Sequence, residues 1–279
     1  MKIDLLEPNL TNYERKEIGR LLNEINKKGK IFESDLECMW YLLDLVWNEY
    51  GCDNKNLDWA KINKFYSHPV WVLNTLFIEQ DNISMMHRHR ISEWILRNNI
   101  RTVIDYGGGG ATLAILIAKE NTNINIDIYE PYPSEFALKR VKEFKNVKFV
   151  NLITRKYDCL VSIDVLEHVV DPLSVFKEMI DSVKINGYLI VANCFYPVIK
   201  CHLPQTFHFR YTFNIFAKMM GLKIIGKLEG SHAVIFKKEK EANVDWKKIR
   251  IYEKISKTLF PFIEFAAPIL KPMKRLIFK

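Results

Sequence analysis

Hydrophobic and polar positions follow a helical period through the first third of the chain. Ile18, Leu21, Leu22 and Ile25 share one face and predict a helix over Tyr13–Lys28, stopped by Gly29. Ser34, with Glu37 three residues on, forms a capping box for a second helix carrying Leu36, Met39, Trp40, Leu43 and Trp47, which ends at Gly51. Further helices are predicted over Leu57–Phe65, Trp71–Ile78 and Ser84–Arg97. At Arg101 the period changes. Short apolar strands at Thr102–Tyr106, Ile124–Tyr129, Val147–Val150, Cys159–Ile163 and Tyr188–Ala192 alternate with helices at Ala111–Lys119, Ser134–Phe144 and Leu173–Val183. Such alternation specifies a parallel sheet covered on both faces. After a helix at Asn214–Met220, the strands Leu222–Lys227 and Ala233–Lys237 are joined by LEGSH and predict an antiparallel hairpin. Only eight residues, 151–158, separate the third and fourth strands, too few for a crossover helix.

The pattern divides the chain into a helical cap (1–97), an α/β domain (98–240) and a tail (241–279). The tail mixes aromatic, aliphatic and basic residues, and Pro261, Pro268 and Pro272 predict that it breaks into short pieces. Charge is concentrated there. From Ala242 onward nine Lys/Arg face three Asp/Glu, a net +6 out of +8 for all 279 residues. A tail of this kind can pack on the domain or lie on an anionic membrane; with no recognisable DNA or RNA module in the chain, nucleic acid is the weaker partner. Five scattered cysteines without a CxxC pair point away from a disulfide framework or a structural zinc site, toward a reducing cytoplasm. MKIDLLEPNL lacks the apolar stretch of a signal peptide, and no run is long enough to span a bilayer.

Candidate chemistry begins at VIDYGGGGATLAILIA (103–118), where a strand runs into four glycines and then into an apolar helix. Glycine lets the backbone turn tightly and approach a ligand closely. Glu130 ends the next strand, 21 residues after Gly109. An acidic side chain there can accept both hydroxyl hydrogens of a ribose. The two features together predict a nucleoside site.

The chain resembles the class I (Rossmann-like) S-adenosylmethionine-dependent methyltransferases over roughly residues 85–238. VIDYGGGG resembles their first motif, IYEP the acidic second, YDCLVSIDVLEHVVDP (157–172) the fourth-strand motif, and INGYLIVANCFYP (185–197) the glycine turn into strand five. The resemblance implies an α/β fold with a seven-stranded, mostly parallel sheet in the order 3-2-1-4-5-7-6, strand 7 antiparallel. It implies S-adenosyl-L-methionine as cofactor, with Asp105, Gly107, Gly108 and Gly109 along its methionine and ribose part. Glu130 would hold the ribose hydroxyls, and Ile163 and Asp164 would lie beside the sulfonium end. Arg88 or Arg90, in the preceding helix, would meet the cofactor carboxylate, and Asn151 would stand near the adenine.

For acceptor chemistry, CHLPQTFHFRYTF (201–213) resembles the family stretch after strand five and places His202, His208 and Arg210 over the strand ends, with Thr212 capping the next helix. A histidine can remove a proton from an acceptor hydroxyl near neutral pH. Glu167 and His168 would shape the wall between cofactor and acceptor, and His68, His87 and His89 can reach in from the cap. No metal-ligand spacing such as HExxH occurs. The expected activity is methyl transfer, at oxygen, to a small acceptor of sugar, glycan-precursor, quinone-like or lipid-linked type. The competing readings are a Rossmann nucleotide-sugar or NAD enzyme, and a catalytically inactive scaffold that retains the cofactor pocket.

Overall fold

The computed structural model describes residues 3–28 and 32–277, with backbone alone for Lys28 and 267–277. Gly29, the expected stop of the first helix, lies outside the described residues. The cap contains α1 (Asn12–Lys28), α2 (Asp35–Glu49), α3 (Trp59–Tyr66) and α4 (Val70–Gln80). Each start has a local cause. Thr11 and Glu14 form a reciprocal box at α1 (Glu14 N to Thr11 Oγ1, 3.1 Å; Thr11 N to Glu14 Oε2, 2.8 Å). Ser34 accepts from Glu37 N at α2, and Asp58 from Ala60 N and Lys61 N at α3. These helices close their own core around Ile18, Met39, Leu42, Trp47, Phe65 and Leu73.

α5 (Asn82–Arg97), placed with the cap by its periodicity, buries Ile91 and Ile95 against the sheet instead. The sheet contains β1 (Thr102–Tyr106), β2 (Asn125–Tyr129), β3 (Val147–Val150), β4 (Tyr157–Ile163), β5 (Val183–Ala192), β6 (Leu222–Lys227) and β7 (Val234–Lys238). Its order is β3-β2-β1-β4-β5-β7-β6, parallel through β5, with β7 antiparallel to both β5 and β6. Fold and hairpin are as the sequence and its resemblance implied. Period-two alternation sends neighbouring residues to opposite faces. Val103, Ile126, Val161 and Ile190 meet α5, α6 (Thr112–Glu120) and α7 (Glu135–Val141). Ile104, Leu160, Leu189 and Phe236 meet α8 (Pro172–Asp181) and α9 (Phe209–Met219).

One local expectation holds and two change. β3 and β4 are joined by an irregular loop, residues 151–156, and a groove of about 570 Å³ opens there between Tyr106, Tyr129, Arg155 and Glu178. α9 starts at Phe209 rather than Asn214. Thr212 therefore lies inside it and donates to His208 O (3.0 Å) instead of capping. The tail forms one helix, α10 (Trp246–Ile277), through all three prolines. Each proline removes a backbone donor. Around Pro261, however, contacts with α9 hold both sides: Ser256 Oγ meets His208 and Thr212, and Glu264 accepts from Arg210 at 2.6 Å. Tertiary packing outweighs local propensity here. No helix among the described residues is long and apolar enough to cross a membrane.

The packing of α4 on the first turn makes a prediction. A Cβ on Gly110 would stand 2.2 Å from Thr75 Cγ2, whereas one on Gly226 of β6 would meet nothing within 4 Å. Gly110→Ala is expected to lower unfolding free energy by about 1–3 kcal/mol, measured by urea denaturation. Gly226→Ala is expected to leave it within about 0.5 kcal/mol.

Candidate functional site

Asp105 sits near the carboxyl end of β1, buried, and its Oδ2 has no hydrogen-bond partner. Directly above it, a Cβ on Gly108 would lie 2.8 Å from that oxygen and 2.8 Å from Ile128 Cγ2, so only glycine lets the turn close. Gly107 and Gly109 flank it in left-handed conformation, and Gly107 N donates to Tyr129 O (2.7 Å). Burial, and secondarily the nearby Glu130, pushes the Asp105 carboxyl up to about 7 against the pull of Arg88.

Glu130 follows β2. Its Oε2 accepts from Gly109 N and its Oε1 from Tyr132 N, both at 3.0 Å, which turns the carboxylate toward the glycine turn. Two acceptor oxygens beside an exposed, side-chain-free backbone suit a vicinal diol. At the end of β4, Ile163 and Asp164 border a cavity of about 100 Å³ that Ser84, His87, Arg88 and His232 complete. Asp164 has φ +52°, and its Oδ1 lies 3.4 Å from His232 Nε2. Arg88 donates to Ser84 O (3.0 Å) and makes no ion pair among the described residues, leaving a cation available to a ligand carboxylate. Arg90 points elsewhere, pairing with Glu93 and packing on Gly230. Asn151 is exposed in the β3–β4 loop.

The three expected acceptor-side residues separate. His208 is buried under α10 with Nδ1 2.8 Å from Ser256 Oγ, and burial and Lys257 push it down to about 4. Arg210 donates to Phe195 O through Nε (3.1 Å) and to Glu264 through Nη1, and stacks on Tyr196 at 3.7 Å. Both are occupied in binding the tail to the domain. His202 belongs to a different group. Its Nδ1 donates to Tyr196 O (2.6 Å), and its ring stands 4.8 Å from that of His168. Glu167, His168 and His202 each offer one ligand-type atom, all within 4.8 Å of one another.

This group combines unusual burial with incomplete pairing. Glu167 Oε1 accepts from Cys194 N (2.8 Å), while Oε2 is buried without a partner. Burial, and then Asp164, drives its carboxyl well above the ordinary range. Burial, and then His202, pushes His168 down to about 3; His202 is likewise lowered, by burial first. Both imidazoles are therefore neutral at pH 7. The cluster can pass a proton, and its donor set can also hold a cation.

The cap positions this cluster. Asp44 of α2 accepts from Lys200 N (2.7 Å), and Asn54 donates to Lys200 O (2.8 Å), fixing the segment that carries His202. Tyr66 brings its hydroxyl within 3.2 Å of His168 Nδ1 and stacks between Trp71 and Tyr132, both at 5.5 Å. KFYSHPVW, in the aromatic-rich segment expected to cap the acceptor side, carries most of this wall, although none of its aromatic residues was named as a site residue. His68 is a turn residue: Nδ1 accepts from Val70 N (3.0 Å) and Nε2 meets Glu17 (3.1 Å). His87 pairs with His232, and His89 is exposed.

Residues 79–212 match the family model described as a methyltransferase domain. A ubiquinone biosynthesis O-methyltransferase from Nitrosomonas europaea is 29% identical over 157 residues, covering 50% of this chain and 65% of the relative, just under two-thirds of its length. Among solved structures, an O-methyltransferase family protein from Burkholderia thailandensis is 15% identical, covers 66% of this chain and 61% of that one, and has a TM-score of 0.44. The N-methyltransferase NodS from Bradyrhizobium japonicum, solved with S-adenosyl-L-homocysteine, is 10% identical over 57% of this chain and 89% of its own, with a TM-score of 0.42. The residues fit the cofactor of this class: a cradle that a Cβ would fill, an orphaned carboxylate oxygen beneath it and the Glu130 carboxylate held beside it by Gly109 N and Tyr132 N. Over residues 79–212, just under half of its length, the chain is similar to the class I, S-adenosylmethionine-dependent methyltransferases.

Proposed function

We propose that this protein methylates a hydroxyl group of a small planar acceptor, phenolic in type, with His202 as the base. The observation that carries this reading is the state of His202: neutral, with Nδ1–H committed to Tyr196 O, so that Nε2 is left as the acceptor of a proton. It stands with Glu167 and His168 just past β4, on the side of the sheet's carboxyl edge where Asp164 lies. The wall of Trp71, Tyr66 and Tyr132 offers stacking to a flat ring. The name of the Nitrosomonas relative, a ubiquinone biosynthesis O-methyltransferase, agrees with that choice.

When bound, the cofactor supplies an electrophilic methyl group on a sulfonium. Glu130 would hold its ribose hydroxyls, Arg88 its carboxylate, and Asp105 and the glycine turn the part between. His202 would take the proton from the acceptor hydroxyl that receives the methyl group. The remaining contribution is alignment.

Methyl transfer to a panel of phenols, sugars and amines, followed by mass spectrometry, tests the proposal. Phenols are expected to be methylated, and His202→Asn to lower kcat by roughly 10²–10⁴-fold with cofactor affinity unchanged. Methylation of amines alone would overturn it. Because His202 is shifted down, kcat is expected to rise with pH only below the ordinary imidazole range and to stay flat through neutrality. The metal-capable donor set supports a second reading, in which a divalent cation activates the acceptor oxygen. Unchanged activity after dialysis against a chelator is expected for the base; loss restored by a divalent ion would establish the cation instead.

Asp105 makes a separate prediction. Its native carboxyl keeps a proton up to about 7, whereas the unfolded one loses it near 3.8. Its contribution to stability is therefore present at acid pH, falls as pH rises through that window and levels off above it. Asp105→Asn is expected to gain thermal stability relative to wild type from acid to neutral pH, while binding S-adenosylhomocysteine more weakly.

A further inference from the structure

α10 buries one face and leaves the opposite one bare. Ile249, Glu253, Ser256 and Phe260 turn toward the domain. Ile249 enters the core, Arg250 pairs with Asp171 (Nη1 to Oδ1, 3.0 Å) and Ser256 meets His208. Two residues beyond each of these positions, about 200° around a helix, stand Ile251, Ile255, Thr258 and Phe262, with Leu259 next to Thr258. Ile251, Ile255, Leu259 and Phe262 recur at intervals of four, four and three, the spacing of a single stripe. All four are exposed, Phe262 at 71%, and Phe265 beside them reaches 80%.

Charge selects what this stripe can meet. Lys247, Lys248 and Lys254 border it and make no ion pair among the described residues, and the sequence adds Lys271, Lys274, Arg275 and Lys279. A second copy of this helix would bring a net +6 segment against another of the same sign. An anionic bilayer surface answers both features, since it admits the apolar face below its headgroups and attracts the lysines. We infer that α10 is an amphipathic helix that attaches the protein to anionic membranes through Ile251, Ile255, Leu259, Phe262 and Phe265. The helix lies in the interface and does not cross it, consistent with its charge and its three prolines. The inference concerns where the protein sits and is independent of which acceptor it methylates.

Co-sedimentation of the full chain with extruded vesicles tests this. Vesicles of phosphatidylcholine alone are compared with vesicles containing about one-third phosphatidylglycerol, at low and high salt. The protein is expected to pellet with the anionic vesicles only, and to be released progressively by salt. Phe262→Glu with Phe265→Glu is expected to weaken binding at least roughly tenfold. Circular dichroism and thermal melting are expected to match wild type, because both side chains are exposed. Wild-type protein that stays in the supernatant with both vesicle types would overturn the inference, as would a double variant that binds like wild type. Sedimentation velocity showing a dimer that the same substitutions dissociate, without vesicle binding, would assign the stripe to a second copy and overturn it too.

Discussion

At the carboxyl edge of the sheet, one close approach brings Asp105, the glycine turn and Glu130 together: the turn after β1 passes over Asp105 at a distance that no side chain on Gly108 would permit. From that contact follow the burial of the Asp105 carboxylate, the exposure of the Gly109 backbone and the position of Glu130, whose Oε2 reaches Gly109 N. Gly110 extends the constraint to the cap, since α4 can rest on the turn only where a Cβ is missing. Thr112 and Arg140 then both meet Glu79, so α4, α6 and α7 are joined at the same point. Replacing buried apolar contact with a carboxylate lacking a partner costs stability. That cost is retained where a ligand is to be gripped.

The Glu167, His168 and His202 cluster is assembled differently. No single motif makes it; instead three distant segments converge. The segment after β4 supplies Glu167 and His168, the segment after β5 supplies His202, and the cap supplies Tyr66 and the anchors Asp44 and Asn54. Burial is what gives the cluster its chemistry, lifting the Glu167 carboxyl and lowering both histidines, so that each group is biased toward its neutral form. The tail is bound by a second set of contacts, in which Arg210, His208 and Asp171 hold α10 against α8 and α9.

Where a function was written in consecutive residues, the sequence was readable. Strand alternation, the four-glycine turn and the interval from Gly109 to Glu130 are local, and each stands in the structure where its spacing placed it. The hairpin from Leu222 to Lys237 was equally plain, and with it the antiparallel strand at that edge. What depends on distant partners was not legible. His208 and Arg210 lie in a family-like stretch beside His202, yet the helix that takes them up begins nearly forty residues later. Prolines spoke for a broken tail because their local cost is visible, while the α9 contacts that offset it are not. Tyr66 was not singled out, since its stacking partner Tyr132 lies beyond the first two strands.

The central claim is that the glycine turn and Glu130 form a site for a sulfur nucleoside. Calorimetric titration of the wild-type protein and Glu130→Ala with S-adenosylhomocysteine, using NAD as the control, addresses it most directly. One-site binding of the sulfur nucleoside, weakened at least roughly tenfold in the variant and absent for NAD, is the predicted result. Binding of NAD in place of S-adenosylhomocysteine, or equal affinity in wild type and variant, would contradict it.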